Sequence, residues 1–392
     1  MKIARVVTSL NPANGGVTEA VCQYVLNSRP SKINICLVCF DEPCDPWIIE
    51  LKSKGVEVYA LGNGWSRYQF HFGYVKWIKK NYSKYDLFIF DGIWQFHIVP
   101  ALIFKFIGLK YIIQPHGMLS HVSRGWSVSY ITKLVAWFFV ERVVTKNASK
   151  IVFTTTEEER VASLSYPFNV FNSAIIPLGI EGYAACSPVS SEFVSKFLPV
   201  LGDCKYILFL SRIDKIKGVD LLVDAILENN VFHDGYRYLI VGPDNSGLSD
   251  RLKKKIDRAG KSEYFFWYGM VSGSLKWDVI SNANAFILPS HHENFGIVVT
   301  EAMSAAVPVL ISDNVNINEV VLRYRGGVVF SNTPKSIADT LFRWFDMKTE
   351  MQVSMGESAL KCFQLEFNKV RMITSFDAMF FDVLSGVGCQ SE

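Results

Sequence analysis

Short runs of β-branched and aromatic residues alternate with helical patterns along nearly the whole chain, and this alternation constrains the fold more than any other feature. Strand candidates in the first half are residues 2–10, 34–42, 56–61, 85–93, 110–117, 150–156 and 173–180. A second series follows at 205–213, 237–244, 264–269, 284–290, 308–312 and 326–330. Strands separated by helices are typical of parallel sheets. We predict an α/β fold with two Rossmann-like, doubly wound parallel-sheet domains facing across a cleft.

The length of the chain favours two domains, because 392 residues exceed what one hydrophobic core usually serves. Residues 183–204 contain Ser, Pro and Gly without strong periodicity, so we predict a linker there. The predicted N-terminal domain is 1–182 and the predicted C-terminal domain is 205–370. Residues 371–392 are predicted to form a helix or tail that could pack back on the N-terminal domain.

Composition excludes several classes of protein. Hydrophobic residues make up 49% of the chain and charged residues 20%, which is typical of a globular protein. The net charge of +3 is too small to favour a nucleic acid as the main partner. We see no secretory signal, and the longest apolar stretch, 98–113, is interrupted by Lys105 and Lys110. These features predict a soluble, cytoplasmic protein.

Three cysteines, Cys36, Cys39 and Cys44, have a spacing that could suggest a zinc site. No second pair follows them, and the sequence NICLVCF reads as a buried strand, in which cysteine is a common small apolar residue. We therefore favour structural, reduced cysteines over a metal site.

The most informative motif is HHENFGIVVTEAMSAAVPVL, residues 291–310, a polar loop that runs into a helix apolar on almost every side. Such a helix should be buried, and a buried carboxylate such as Glu301 needs a partner. Glu301 could accept hydrogen bonds from paired hydroxyls, such as those of a ribose. Glu293, just before the helix, would reach the sugar side of the same ligand. Amide groups near Phe295, Gly296 and Ile297 would be free at the helix start.

Two other turns carry features that suit phosphate. Arg212 and Lys217 lie between a predicted strand and helix, where two cations could hold a diphosphate. Gly15 and Gly16 open the first helix, whose start could also hold a phosphate. The dinucleotide pattern G-x-G-x-x-G is missing there. Ordinary surface charges and a plain tight turn are the alternatives for these two sites.

A further candidate, His116, lies at the carboxyl end of a predicted strand, where Gly117 allows a sharp turn. Asp91 or Trp94 could line the same region from the neighbouring strand. A structural histidine is the alternative interpretation.

Taken together, these motifs resemble the large retaining glycosyltransferase family 4, which has the two-domain GT-B fold and includes bacterial O-antigen and capsule enzymes. The resemblance extends in family order from residue 15 to about residue 330. The matching pieces are Gly15-Gly16, PHGML, TTTEEE (154–159), IIPLGIE (175–181), LSRIDKIKG, VGPD (241–244) and LPSHHENFGIVVTEAMSAAVPV. Two places differ: Ala306 stands where the family usually has Gly, and Val17 and Thr18 precede Glu19 after the glycine loop.

The resemblance implies a role for each candidate residue. Residues 1–182 would form the acceptor side and 205–370 the nucleotide-sugar-binding side. By the resemblance, Arg212 and Lys217 would bind the diphosphate, and Glu301 would bind the ribose. Glu293 would contact the donor sugar together with the backbone of Asn294, Phe295, Gly296 and Ile297. His116 would lie near the transferred sugar, and Gly15 and Gly16 would lie close to the phosphates. Glu293 and His116 are then the candidate catalytic residues.

The resemblance predicts transfer of a sugar from a nucleoside-diphosphate sugar to a glycan, with retention of anomeric configuration. The expected acceptor is a lipid-linked oligosaccharide of cell-surface polysaccharide synthesis. Side-chain cations would make a metal cofactor unnecessary, and no Asp-x-Asp pair follows a strand. Segments 69–85 and 130–150 mix aromatics with lysines and could lie on an anionic membrane; ordinary packed helices are the alternative. The first alternative is a nucleotide-sugar epimerase of the same two-domain build. A nicotinamide-dependent oxidoreductase is a second alternative, but its glycine motif is missing from this sequence. A non-catalytic sugar-binding protein is the third.

Overall fold

The structure is a computed structural model that describes residues 1–12, 16–28, 33–119, 133–167, 170–184 and 189–385. The chain divides into two compact units. Unit 1 comprises Met1–Gly179 and the segment that begins at Lys369, and unit 2 comprises Ile180–Asn368.

Unit 1 is built on a seven-stranded sheet in which every strand pair is parallel. Its strands are β1 (Lys2–Val6), β2 (Asn34–Cys39), β3 (Glu57–Ala60), β4 (Leu87–Asp91), β5 (Lys110–Gln114), β6 (Lys150–Phe153) and β7 (Ser173–Ile175). The order across the sheet is β3-β2-β1-β4-β5-β6-β7. The apolar runs of the central strands follow from burial on both faces, as parallel sheets covered by helices require.

The helices of unit 1 connect these strands. They are α1 (Gly16–Asn27), α2 (Pro46–Ser53), α3 (Phe72–Asn81), α4 (Ala101–Phe104), α5 (Arg142–Asn147) and α6 (Thr156–Ser165). Residues 133–136 are also helical and lead through a π-helical turn, Trp137–Glu141, into α5.

Unit 2 has a six-stranded parallel sheet. Its strands are β8 (Lys205–Leu210), β9 (Tyr236–Val241), β10 (Phe265–Tyr268), β11 (Ala285–Leu288), β12 (Val309–Ser312) and β13 (Gly327–Phe330), in the order β10-β9-β8-β11-β12-β13. Its helices are α7 (Ser191–Lys196), α8 (Leu198–Leu201), α9 (Val219–Glu228), α10 (Leu248–Arg258), α11 (Gly273–Ser281), α12 (Ile297–Ser304), α13 (Asn318–Tyr324), α14 (Pro334–Phe345) and α15 (Thr349–Cys362).

The last helix, α16 (Lys369–Ser385), belongs to unit 1 and packs on α1. The ring of Phe376 lies 5.0 Å from that of Tyr24, and Tyr24 donates a hydrogen bond to Asp377. The segment predicted as a linker, 183–204, contains α7 and α8, which belong to unit 2.

The predicted fold class, two doubly wound parallel-sheet domains, is confirmed, since each of the thirteen predicted strands overlaps an observed one and both sheets are parallel. In each sheet the strand order reverses at one strand, β1 in unit 1 and β8 in unit 2. Ligands of doubly wound sheets bind beside such switch points. Within the described part of the chain, no helix has both the length and the apolar character needed to cross a membrane.

The cysteines of the predicted strand fit the structural interpretation. Cys36 and Cys39 are buried in β2 and belong to different hydrophobic clusters. Side chains three positions apart in a strand point to opposite faces of the sheet. These two thiols therefore cannot share one metal ion.

Candidate active site

Two loops meet at the switch point of unit 2, where β8 and β11 end side by side. The loop after β8 contains Ile216, whose carbonyl accepts hydrogen bonds from the amide of His291 (2.8 Å) and the hydroxyl of Ser290 (2.9 Å) in the loop after β11. Gly218 ends the first loop with φ +73°, and a Cβ there would lie 1.9 Å from the carbonyl oxygen of Pro289. The close approach of the loops therefore requires glycine at this position.

These loops bring Lys217 and Glu293 together. The Lys217 ammonium donates to the Glu293 carboxylate, and both side chains are largely buried. The Lys217 amide donates to Asp214 Oδ1 (3.0 Å), and the Glu293 amide donates to the Asn314 carbonyl (3.1 Å), so both backbones are fixed. The predicted diphosphate cation and the predicted donor-sugar carboxylate are thus direct neighbours.

The motif residues after Glu293 form the start of α12. Gly296 adopts φ +80° directly before the helix, and Phe295 is buried with its ring 5.6 Å from that of Phe367. Asn294 accepts a hydrogen bond from the Asn316 side chain at 3.3 Å. Because the side chain of Phe295 points into the protein, the first amides of α12, from Ile297, are the groups at this helix start that would favour an anion.

Glu301 is buried one turn into α12, as its apolar surroundings predicted. Its Oε1 accepts a hydrogen bond from Lys276 Nζ at 2.5 Å. Lys276 comes from α11, and nothing in its local sequence marked it as a site residue. A second Lys–Glu pair thus lies in the same unit, and its cation compensates the charge of the buried carboxylate and orients it.

Arg212, the other predicted diphosphate ligand, differs from Lys217. Its side chain is 67% exposed, and its ion pair with Asp214 is long, at 3.6 Å. An exposed arginine with so weak a partner can move to a ligand at little cost.

In unit 1, His116 belongs to a buried polar network at the carboxyl ends of β1, β4 and β5. Arg5 donates to both Asp91 oxygens (2.6 and 2.7 Å) and to Gln114 Oε1 (2.5 Å). His116 Nε2 lies 2.7 Å from Asp91 Oδ1. Burial by itself would raise the pKa of Asp91, but Arg5 and His116 outweigh it and hold the pKa well below its usual range.

The turn that carries His116 is fixed from a second side. His116 has φ +51°, an uncommon conformation for a residue with a side chain. Glu158, fully buried, accepts hydrogen bonds from the Gly117 amide (2.5 Å) and from the amide and hydroxyl of Thr154 (2.8 and 2.6 Å). These hydrogen bonds connect the PHGML and TTTEEE segments and fix the turn that carries His116.

Three other predicted positions, Gly15, Gly16 and Trp94, are not part of these contacts. Gly15 lies outside the described residues, and Gly16 is the first residue of α1. Trp94, at φ +67°, donates from its indole to the Met118 carbonyl at 2.8 Å.

Sequence reasoning missed Arg5, Gln114, Glu158 and Lys276. Arg5 carried a signal, since a charged residue inside a buried parallel strand requires a partner. Lys276 and Gln114 carried none, because their partners come from other elements.

A comparison with protein families matches residues 191–361 to the glycosyl transferases group 1. Among curated proteins, an uncharacterised glycosyltransferase of Methanocaldococcus jannaschii is 30% identical over 36% of this chain and 35% of its own length. The D-inositol 3-phosphate glycosyltransferase of Geodermatophilus obscurus is 25% identical over 43% and 39%. An uncharacterised 41.2 kDa protein in the cps region of Klebsiella pneumoniae is 25% identical over 61% and 63%. The chain thus spans less than two thirds of each of these relatives.

Solved structures match the whole fold. Anabaena HepE in complex with UDP-glucose superimposes with a TM-score of 0.74, 16% identity, and coverage of 97% of this chain and 99% of that one. WaaG, a glycosyltransferase involved in lipopolysaccharide biosynthesis, gives a TM-score of 0.69, 15% identity, and coverage of 98% and 100%. At this level of identity the likeness concerns the fold, which is GT-B.

Proposed function

Since the chain belongs to the glycosyl transferases group 1 and has the GT-B fold, we propose that it transfers a sugar from a nucleoside-diphosphate sugar to a glycan, with retention of anomeric configuration. The observation that carries this proposal is the pair of Lys–Glu contacts, Lys217–Glu293 and Lys276–Glu301, in unit 2.

The donor would bind in unit 2, where cations and a helix start are available. Lys217, Arg212 and the first amides of α12 would stabilise the negative charge that grows on the departing diphosphate. Glu301 would accept hydrogen bonds from the ribose hydroxyls, and Glu293 would contact the donor sugar. Because HepE was crystallised with UDP-glucose, uridine donors are the first to test.

These side-chain charges would make a divalent metal unnecessary. Lys217 and Arg212 supply the positive charge that a metal ion would otherwise bring to the diphosphate. Activity should therefore persist after dialysis against EDTA.

The acceptor would bind to unit 1, near His116. A glycan of cell-surface polysaccharide synthesis, carried on a lipid, is supported by the relative in the cps region and by the fold of WaaG. Such an acceptor requires that the enzyme reach the inner face of the plasma membrane.

A surface of unit 1 suits this contact, which we name the basic apolar face. Its exposed apolar side chains are Ile103, Phe106, Ile107, Val135, Phe138, Phe139 and Val143. Phe106 is 81% and Phe139 76% exposed, although large apolar side chains are normally covered. The two helical segments that carry them are neighbours, since α4 packs on α5.

The exposed charges within 101–107 and 133–147 have one sign. Lys105 and Lys146 are exposed, and the single acidic residue of 101–107 and 133–147 is the buried Glu141. Aromatic residues with lysines and no exposed acid fit an anionic lipid surface. By contrast, α3 from the segment 69–85 turns Tyr74 and Trp77 into the core, as an ordinary packed helix does.

Two experiments test these proposals. Thermal shift with a panel of nucleotide sugars should reveal a stabilising donor, and transfer should then require an added glycan. Release of the nucleotide with an epimerised sugar and no acceptor would instead favour the epimerase. For the membrane, the double variant Phe106→Ser/Phe139→Ser should lose co-sedimentation with phosphatidylglycerol vesicles, whereas the exposed Trp65→Ser should keep it. Equal binding by both variants would refute the basic apolar face.

A further inference from the structure

Unit 1 contains a pocket of its own at the carboxyl edge of its sheet. Its volume is about 640 Å³, within the range of small-molecule sites. Thr8, Asp41 and Asp91, which follow or end β1, β2 and β4, line it, so it lies beside the switch point at β1.

The charge of this pocket is unusual for a protein that handles phosphates. None of the fifteen described residues that line it is Lys, Arg or His, and three are aspartates, Asp41, Asp45 and Asp91. The charge of Asp91 is compensated by its buried ion pair with Arg5. Among the described residues, the hydrogen-bond donors to the carboxylates of Asp41 and Asp45 are neutral.

Those neutral donors fix the two carboxylates in place. Asp41 accepts from the Ser9 hydroxyl (2.6 Å) and the Leu10 amide (2.7 Å). Asp45 accepts from the Glu42 amide at 3.0 Å. Hydrogen bonds of this kind orient a carboxylate but leave its negative charge in the pocket. A phosphate or a second carboxylate placed there would be repelled.

The remaining lining suits a sugar ring. Trp47 is aromatic and only partly buried, and Asn11, Asn63 and Gln95 carry amides that can both donate to and accept from hydroxyl groups. Aromatic rings cover the apolar face of a sugar while carboxylates and amides bind its hydroxyls.

We propose that this pocket binds the terminal unit of the acceptor as an uncharged sugar and rejects sugars that carry phosphate or carboxylate. The inference rests on the proposed glycosyl transfer, and it assigns the diphosphate donor and the acceptor to pockets of opposite charge. On this proposal, the acceptor of this chain is uncharged, whereas the name of the D-inositol 3-phosphate glycosyltransferase contains a phosphorylated compound.

The test uses matched acceptors with the wild-type chain. Ligand-observed NMR measures binding of the methyl glycosides of glucose, galactose, mannose and N-acetylglucosamine, against methyl glucuronide and methyl glucoside 6-phosphate. At least one uncharged glycoside should bind, at least about tenfold more tightly than either anionic sugar, since like charges in one pocket disfavour binding. Tighter binding of an anionic sugar, or no binding of any uncharged glycoside, would overturn the proposal.

A charge-reversal variant provides the second measurement. Asp45→Lys should reduce the preference for uncharged over anionic sugars at least about tenfold. The preference is a ratio measured on one protein sample, so partial loss of folded protein does not affect it. Asp203→Lys, at an exposed position of unit 2, is the matched control and should leave the ratio unchanged. An Asp45→Lys ratio equal to that of the wild type would contradict the role of the pocket charge.

Failure of the charge inference can be distinguished from failure of the proposed glycosyltransferase function. If the chain transfers sugar onto the phosphorylated glycoside, the glycosyltransferase activity stands and the charge inference fails. If no nucleotide sugar stabilises the protein, the donor assignment in unit 2 fails, while sugar binding by unit 1 is still measured independently.

Discussion

Lys276 Nζ lies 2.5 Å from Glu301 Oε1 and joins α11 to α12 at a buried carboxylate. The Glu301 side chain is 9% exposed, so water contributes little to its solvation. The lysine therefore compensates the charge of the carboxylate and fixes the direction of Oε1. This geometry is suited to hydrogen bonds with two adjacent hydroxyl groups, which is the role proposed for Glu301 with the donor ribose.

We expect Glu301→Gln to raise the KM for the nucleotide sugar about tenfold or more with a smaller change in kcat, because a charged hydrogen bond contributes about 1.5–3 kcal/mol. Lys276→Met should shift KM in the same direction. Lys255→Met removes an exposed pair with Asp224 and is the matched control. Unchanged donor KM in both site variants would contradict the assignment.

Lys217→Met should lower kcat about 10²–10³-fold, since loss of one group that stabilises developing negative charge has this effect in other enzymes. Lys215→Met changes an exposed lysine in the same turn and should leave the rate nearly unchanged. Steady-state rates with a fixed acceptor measure both. Equal losses in the two variants would indicate a general effect of the turn instead of a specific role for Lys217.

Gly218→Ala should destabilise unit 2 far more than Gly247→Ala. Both glycines precede helices with similar φ values of +73° and +67°, so alanine is conformationally disfavoured at each. Only Gly218 would place its Cβ against backbone, 1.9 Å from Pro289, whereas no atom lies within 4 Å at Gly247. Thermal melts should show the difference, and similar melting temperatures would refute the tight loop contact.

Asp91→Asn should destabilise unit 1 at neutral pH by about 3–5 kcal/mol, because Arg5 would remain buried beside a neutral group. The pKa of Asp91 is lowered in the folded state, so the unfolded state binds its proton first as the pH falls. The stabilisation by Asp91 is thus present above about pH 4 and is lost as the pH falls towards the folded pKa. Urea unfolding of both proteins between pH 7 and about pH 3 should show a shrinking difference; a constant difference would contradict the linkage.

Much of the fold could be predicted from local sequence. Segments such as LFIFD in β4 and AFIL in β11 are entirely buried and are flanked by helical patterns, which is the arrangement that parallel sheets impose. The positions of Lys217 and Glu293 after strands followed from the same pattern, because parallel strands end at one edge of a sheet.

The pairing of side chains could not be predicted in this way. Asp91 and Gln114 end β4 and β5, and Arg5 is the penultimate residue of β1; the three are neighbours only because the sheet has the order β1-β4-β5. Lys276 meets Glu301 only because α11 packs beside α12. The periodicity of apolar residues along the sequence indicates which side chains face a core. It does not indicate which side chain from another element lies beside them. Which buried groups become partners depends on strand order and helix packing, and these are decided by the contacts of the whole unit. The sequence therefore determined the elements and the loops that bear the chemistry, and the tertiary structure decided which charge neutralises which.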